Sequence, residues 1–417
     1  MRWKVEDSPE RAAWRANFKQ WLTEVLPPGW IEALEAGDDA AFAKARKDFN
    51  FFGWQGVIGR TGYAAPLWPK EYGGLSGEAW MQQIVREELG GHRLPIFGIN
   101  ILGVGLAGPT IIAHASEAQK ARYLPKILSG EEIWCQLFSE PSSGSDLASL
   151  GTRAVRDGDE WVVNGQKVWT SIAQFSAFGM LLARTDPDVP KHEGLSYFVV
   201  DMHSPGIDIR PLRQITGSSD FSEVFFTDVR IPDANRIGDV GEGWRYARTT
   251  LMNERVALSG LSIDSASLTG GTRRDPWQAA LEQLTDRSDP IVRQDLARIF
   301  SRQEAREITS FRASAARLAG QEPGPEGGIS KVFNAELNQY RSAALLDAGG
   351  PSSIAWVAGV GEGGEGRAAG FLRARANTIE GGTSEVLRNQ IAERILGLPR
   401  ETDVDRDLVW SESRRSS

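Results

Sequence analysis

The spacing of apolar residues changes twice along this chain, and that switch limits the folds open to it. From residue 8 to about 130 the spacing is helical. After a Ser8-Pro9 start, Trp14, Phe18, Trp21, Leu22 and Val25 fall on one helical face. Loops at Pro27-Pro28-Gly29 and from Pro66 to Gly77 divide this part, and further helices are predicted over 78–90, 99–116 and 118–128. From about residue 131 the period shortens towards two. Strands are predicted through 162–169, 178–183, 195–201, 207–212 and 223–226, with Asn164-Gly165 as a hairpin signal and Asp157-Gly158 as another turn. After Pro232 and Gly238 the helical period returns, through 244–260, 291–318, 331–345 and 384–396. The last of these has Thr383 as N-cap and Gly397 and Pro399 as stops.

A strand block between two helical blocks implies a mainly α fold with a central β domain. The expected parts are an N-terminal α-helical domain at 1–130, a middle antiparallel β barrel or sandwich at 131–237, and a C-terminal α-helical bundle at 238–417. The charged tail after Arg400 is expected to be loosely held.

Composition removes several function classes. Lys and Arg number 47 against 55 Asp and Glu, a net charge of −8, so no excess of cations is available to replace counterions on nucleic acid. The one cysteine, Cys135, excludes a disulfide framework within the chain and argues against a thiolate metal site. The four histidines, His92, His114, His192 and His203, have no metal-ligand spacing, and no metal is expected. No run approaches the roughly 20 apolar residues of a membrane span. The opening Met1-Arg2-Trp3-Lys4 is followed by Glu6, Asp7 and Glu10 and lacks the apolar core of a signal peptide, so a cytoplasmic protein is expected.

Two G-x-G-x-x-G matches, Gly103–Gly108 and Gly359–Gly364, carry little weight. With 45 glycines in 417 residues, about half a match arises by chance. The first leads into Pro109 in a helical region, the second contains Glu362, and neither sits in a βαβ unit. The informative stretch is Trp134 to Asp146. A strand runs into Phe138-Ser139-Glu140-Pro141-Ser142-Ser143-Gly144-Ser145-Asp146, a hydroxyl-rich loop that can present N–H and O–H donors to an anion or a polar ring. About 25 residues on, Val168-Trp169-Thr170-Ser171 sets a large aromatic beside two hydroxyls.

These two motifs, with Val163-Asn164-Gly165-Gln166-Lys167 and Leu182-Ala183-Arg184-Thr185, resemble the acyl-CoA dehydrogenase family. So do Leu67-Trp68-Pro69-Lys70-Glu71-Tyr72-Gly73-Gly74 near the start and Glu380-Gly381-Gly382-Thr383-Ser384-Glu385 near the end. The resemblance covers almost the whole chain in order, and the family's helical, β, helical architecture agrees with the periodicity. It implies α,β-dehydrogenation of an acyl-CoA thioester to the 2,3-enoyl-CoA with FAD: a base takes the α-proton and the β-hydrogen leaves as hydride to flavin N5.

By the same resemblance, Phe138 and Ser139 lie along the flavin, and Gly144 and Ser145 approach its pyrophosphate. Trp169 flanks the ring, Ser171 stands near N5, and Thr383 and Glu385 open a helix that faces the cofactor. The base in many members is the Glu of an Ile-Tyr-Glu-Gly-Thr segment. Aligning Gly382-Thr383-Ser384-Glu385 puts Gly381 there, with Glu380 one place early. Members of the isovaleryl and long-chain type carry the base on an earlier helix, before an Arg. Here that helix has Leu251-Met252-Asn253-Glu254-Arg255-Val256, so Glu254 is the expected base, Arg255 its orienting partner and Glu380 the alternative. With Met252 and Val256 nearby, Glu254 is expected to face an apolar pocket that would raise its pKa.

The chain departs from the family in two places. No Arg-x-x-Phe-Gly segment follows the Glu254 helix, and Leu346 stands where relatives carry a Gln before a Gly-Gly pair. The resemblance implies a homodimer or homotetramer that passes electrons to an electron-transfer flavoprotein. The departures add a heteromer with a related chain, in which a partner completes a half-site. An acyl-CoA oxidase or a flavin monooxygenase on the same fold is the rival chemistry. The ending Leu396-Gly397-Leu398-Pro399-Arg400 points towards catabolism of bulky fatty acyl or sterol side chains.

Overall fold

The computed structural model describes residues 6–95, 100–257, 288–318, 327–358, 364–400, 402, 405 and 407–413. The first block is helical: α1 (Pro9–Val25), α2 (Trp30–Ala36), α3 (Asp39–Arg46), α4 (Phe51–Gly59), α5 (Ala79–Gly91), α6 (Gly108–His114) and α7 (Glu117–Ser129). Helix α1 starts as its sequence dictates. The Ser8 hydroxyl accepts the N–H of Arg11, and Pro9 occupies the first turn, where no N–H is needed. Phe18 and Leu22 of α1 then pack with Trp30 and Trp54 in a shared core.

The glycines from Gly103 to Gly108 form a buried π turn that runs into α6. A Cβ on Gly108 would lie 1.9 Å from the Trp68 ring, so the absent side chain here makes room for an indole. The second glycine match falls almost wholly on residues outside those described.

The middle block is one eight-stranded, mostly antiparallel sheet. Its strands are β1 (Trp134–Leu137), β2 (Arg153–Asp157), β3 (Glu160–Ser171), β4 (Phe178–Arg184), β5 (Leu195–Asp201), β6 (Ile207–Leu212), β7 (Phe221–Pro232) and β8 (Arg236–Ile237). The order is β6-β7-β3-β2-β4-β5-β8, with β1 added beside β4. Two pairings, β1 with β4 and β2 with β4, are parallel, which the antiparallel expectation did not include. Side chains alternate between two cores. Met180, Leu182, Tyr197 and Val199 face the helices, while Leu181, Ala183, Phe198 and Val200 face the interior of the sheet with Trp161, Val224 and Phe226.

One expected turn is corrected. Asn164-Gly165 is not a hairpin; β3 runs straight through it, and the turn between β2 and β3 lies at Gly158-Asp159. The Asn164 amide instead spans to β7. It donates to the Asp228 carboxylate at 3.0 Å and accepts the Asp228 N–H at 3.0 Å, beside a register shift in the β3–β7 ladder. A Cβ on Gly165 would collide with Thr152, so the glycine serves a bulge.

Buried Asn100 joins the first two blocks. Its amide donates to the carbonyls of Ile127 and Glu132 at 2.8 and 2.9 Å and accepts the N–H of Trp134 at 3.0 Å. Asn100→Ala strands three backbone groups, and urea unfolding of the variant should show a loss of about 2 kcal/mol.

The last block comprises α8 (Gly243–Ala257), α9 (Pro290–Leu318), α10 (Gly327–Ala348), α11 (Gly366–Ala374) and α12 (Ser384–Arg394). Helix α8 crosses onto the sheet through hydroxyls. Thr250 meets Thr110 of α6 at 2.8 Å and Tyr197 of β5 at 3.1 Å. The expectation of a loose tail is also corrected: Val409 pairs with Pro190, and Trp410 and Ser411 donate N–H bonds to Val189 and Pro187. Among the described residues no helix is long and apolar enough to cross a membrane.

Candidate active site where the sheet meets the last helices

The site is built on the end of β1. Alternation sends Trp134 and Phe138 towards the helices and Cys135 and Leu137 into the sheet. Gln136 shares the helix-facing side, and its amide donates to Glu254 Oε2 at 3.3 Å. Glu254 lies one helical turn beyond Thr250, so the hydroxyl contacts that seat α8 also fix the height of this carboxylate. Phe138 meets the edge of the Tyr197 ring, which binds Thr250. Strand end and helix are therefore joined by two routes.

The loop after β1 is held from beneath. Fully buried Lys167 donates to the Phe138 carbonyl at 2.9 Å and to Glu140 Oε1 at 2.8 Å. The Glu140 carboxylate also accepts the N–H groups of Gly151 and Thr152 at 2.7 and 2.9 Å. Burial pushes the Glu140 carboxyl up, but the Lys167 ammonium and these donors outweigh it and leave it below its usual value. Burial lowers the Lys167 ammonium, with Glu140 opposing that shift. Ser139 accepts the N–H of Val168 at 2.9 Å, which ties the loop to β3. Gly144 and Ser145 are exposed, and open space lies beside Gly144.

Trp169 leaves the pleat of β3. Its φ is +60°, its side chain is 56% exposed, and the β3–β7 ladder shifts register around it. A bulky residue in the left-handed region is strained by roughly 1–2 kcal/mol. The distortion turns the indole outward, edge-on to Phe221. Ser171 is half-buried and paired with Phe221, while the buried Thr170 hydroxyl finds no hydrogen-bond partner among the described residues.

The opposite wall is the turn before α12. Gly381 and Gly382 have φ of +63° and +92°, and a Cβ on Gly381 would sit 3.7 Å from Glu254 Oε1. Gly381, the position that the resemblance aligns with the family segment's Glu, thus lies against the carboxylate from α8. Half-buried Lys331 of α10 donates to the Gly382 carbonyl and acts electrostatically on Glu380, Glu385 and Glu254. Among the described residues the groups named beside Glu254 are polar, and Met252, expected to line an apolar pocket with Val256, is 59% exposed. The Arg255 and Val256 side chains lie outside the described residues.

Glu380 is engaged elsewhere. Arg373 reaches Oε2 at 3.0 Å and Asn377 reaches Oε1 at 2.7 Å. Thr383 caps α12 by accepting the N–H of Val386 at 3.2 Å, and Glu385 is exposed in the first turn. The buried Ser384 hydroxyl between them has no hydrogen-bond partner among the described residues. Gln136, Lys167 and Lys331 were not singled out from the sequence. For Gln136 a signal existed: it is the one polar side chain in Trp134-Cys135-Gln136-Leu137-Phe138. No group of His, Cys, Asp or Glu among the described residues could hold a metal ion.

Comparison with known proteins agrees along the length of the chain. Residues 8–131, 135–229 and 241–396 match the N-terminal, middle and C-terminal domains of acyl-CoA dehydrogenases. The chain is 41% identical over 348 residues to acyl-CoA dehydrogenase FadE34 of Mycobacterium tuberculosis, covering 83% of this chain and 46% of that one. It therefore spans under half of that longer relative. It is 36% identical over 392 residues to acyl-CoA dehydrogenase IpdE1 of the same organism, covering 93% of this chain and 97% of that one. A solved structure, the Tcur3481-Tcur3483 steroid ACAD, superposes with a TM-score of 0.74 at 29% identity over 96% of this chain and 100% of that chain. Three domain matches in order, with a near full-length relative above 30% identity, make this chain a member of the acyl-CoA dehydrogenase family.

Proposed function

We propose that the chain is an FAD-dependent acyl-CoA dehydrogenase for bulky CoA thioesters, with Glu254 as the base that takes the α-proton. The bond from Gln136 to Glu254 carries the reading, because it brings a carboxylate from α8 onto the strand that opens the Phe138–Asp146 loop. The residues fit a flavin cofactor. Gly144 and Ser145 offer an exposed loop with open space beside it, the strained Trp169 presents a ring face, and the Thr170 and Ser384 hydroxyls have no hydrogen-bond partner among the described residues. Phe138, Ser139, Gly144, Ser145, Trp169 and Ser171 would hold FAD from the sheet side, and Thr383 and Glu385 would meet it from the α12 side. When bound, FAD supplies the acceptor for the β-hydrogen.

The chain's own work is acid–base and positional. Gln136 fixes one oxygen of Glu254, and the Gly381-Gly382 turn leaves room beside the other. Half-buried Lys331 holds the turn from the other side through the Gly382 carbonyl. The steroid acyl class is suggested by the name of the solved relative, whose two designations also support a heteromer in which a related chain completes the site. Passage of electrons to an electron-transfer flavoprotein, rather than to O₂, belongs to the same proposal.

The test is flavin reduction under anaerobic conditions with CoA thioesters from short chains to sterol acids, for the chain alone and mixed with a related chain. Loss of flavin absorbance with the bulky thioesters, and slow reoxidation in air, is the expected result. An FAD-loaded protein that no CoA thioester reduces would sink the reading, and rapid reoxidation by air would favour the oxidase.

A further inference from the structure

We propose that residues 407–413 are a strap that positions the cofactor loop, with Trp410 as its anchor. The loop from Glu140 to Asp146 ends in a short turn, Leu147–Ser149, and that turn is gripped carbonyl by carbonyl. Buried Arg184 donates to the carbonyls of Ala148 and Leu150 at 2.5 and 3.4 Å. The carbonyl between them, that of Ser149, accepts the indole N–H of Trp410 at 3.1 Å. The Trp410 ring lies against the Arg184 guanidinium, 4.6 Å from its centre, and a Cβ on Gly151 would sit 3.8 Å from the same ring.

The strap is itself fixed to the loop between β4 and β5. Val409 pairs with Pro190, the N–H of Trp410 bonds the Val189 carbonyl at 2.8 Å, and that of Ser411 bonds Pro187 at 3.0 Å. Ser413 is buried. The loop connecting β4 to β5 is thereby pinned on one side by Trp410 and Ser411. On its other side Lys191 reaches Asp146 at 3.0 Å, and Asp146 binds the Ser149 hydroxyl at 2.5 Å. Trp410 therefore closes a ring of contacts that runs through Arg184 and Lys191 back to the residues flanking Gly144 and Ser145. The indole face also covers the buried charge of Arg184, which acts on Lys167.

The role rests on the reading of Glu140–Asp146 as the cofactor loop, so the test has one arm that does not need FAD. Amide hydrogen exchange is measured for residues 141–152 and for β4 and β5, and FAD dissociation is followed by absorbance, in the whole chain and in Trp410→Ala, Trp410→Phe and a deletion from residue 407. Trp410→Ala should speed exchange at 141–152 and FAD release roughly tenfold, from the lost N–H bond and ring contact together. Exchange in β4 and β5 should stay unchanged. Trp410→Phe keeps the ring over Arg184 and should fall between. Unchanged exchange at 141–152 in Trp410→Ala overturns the strap, as does an equal acceleration throughout the sheet, which would be general loss of stability. If the unaltered chain fails to hold FAD, the cofactor reading fails while the exchange arm still decides the strap.

Discussion

Glu254→Gln should bind FAD as the unaltered chain does and lose substrate-dependent flavin bleaching by a factor of about 10²–10⁴, the range a positioned general base supplies. The amide is isosteric and can still meet Gln136, so the change removes proton affinity and little else. Stopped-flow anaerobic reduction measures it. The same experiment separates the two candidate carboxylates. Both oxygens of Glu380 are held, by Arg373 at 3.0 Å and Asn377 at 2.7 Å, and accepting a proton would break a charged pair. Glu254 meets the Gln136 amide and the Gly381 turn, with Lys331 acting on it electrostatically. Glu380→Gln should therefore change reduction only a few-fold, through the turn it braces. Full bleaching in Glu254→Gln, with loss in Glu380→Gln, reverses the assignment.

Lys167→Met should cost about 3–5 kcal/mol in urea unfolding, because it leaves the Glu140 carboxylate buried with only backbone donors. Lys167 is fully buried and Glu140 nearly so, which separates this pair from the exposed ion pairs such as Arg230 with Asp157. Replacing both partners, Lys167→Met with Glu140→Gln, should recover a large part of the loss, since no unpaired charge then remains. The pH dependence has a definite sign. The folded Glu140 carboxyl lies below its ordinary value, so its stabilising contribution is present above that value, near 4.5, and fades as pH falls through the folded one. The gap between the unaltered chain and Lys167→Met should then be widest at neutral pH and narrow below about pH 4.5. A gap that stays constant down to pH 3 would mean that packing of the Lys167 stem, and not the charge pair, sets the cost.

The order of elements was legible because it depends on local spacing. Ser8-Pro9 and Thr383 start helices as their side chains dictate, and each needs only neighbours three residues away. Asn164-Gly165 failed for the opposite reason. Its turn propensity is local, but Asp228, 64 residues on, offers both a donor and an acceptor to the Asn164 amide and holds the pair inside a strand. Gly108 is explained by the Trp68 ring and Gly103 by the Asn100 side chain, neither of which a glycine motif contains. The residues proposed to hold the flavin were readable as a motif, while the contacts that position them were not. Gln136 meets Glu254 across 118 residues, and Trp410 meets Ser149 across 261, distances at which a single sequence carries no pairing signal.

The alternation of β4 and β5 between two cores reaches beyond the site. Met180, Leu182, Tyr197 and Val199 complete the packing of the first helical block and α8, and Leu181, Ala183, Phe198 and Val200 complete that of the sheet. A fragment cut where the first helical block ends would bare one whole side of these strands to water. The sheet, the first block and α8 are therefore not separable modules, and any rearrangement that exchanges one of them must carry its matching surface along.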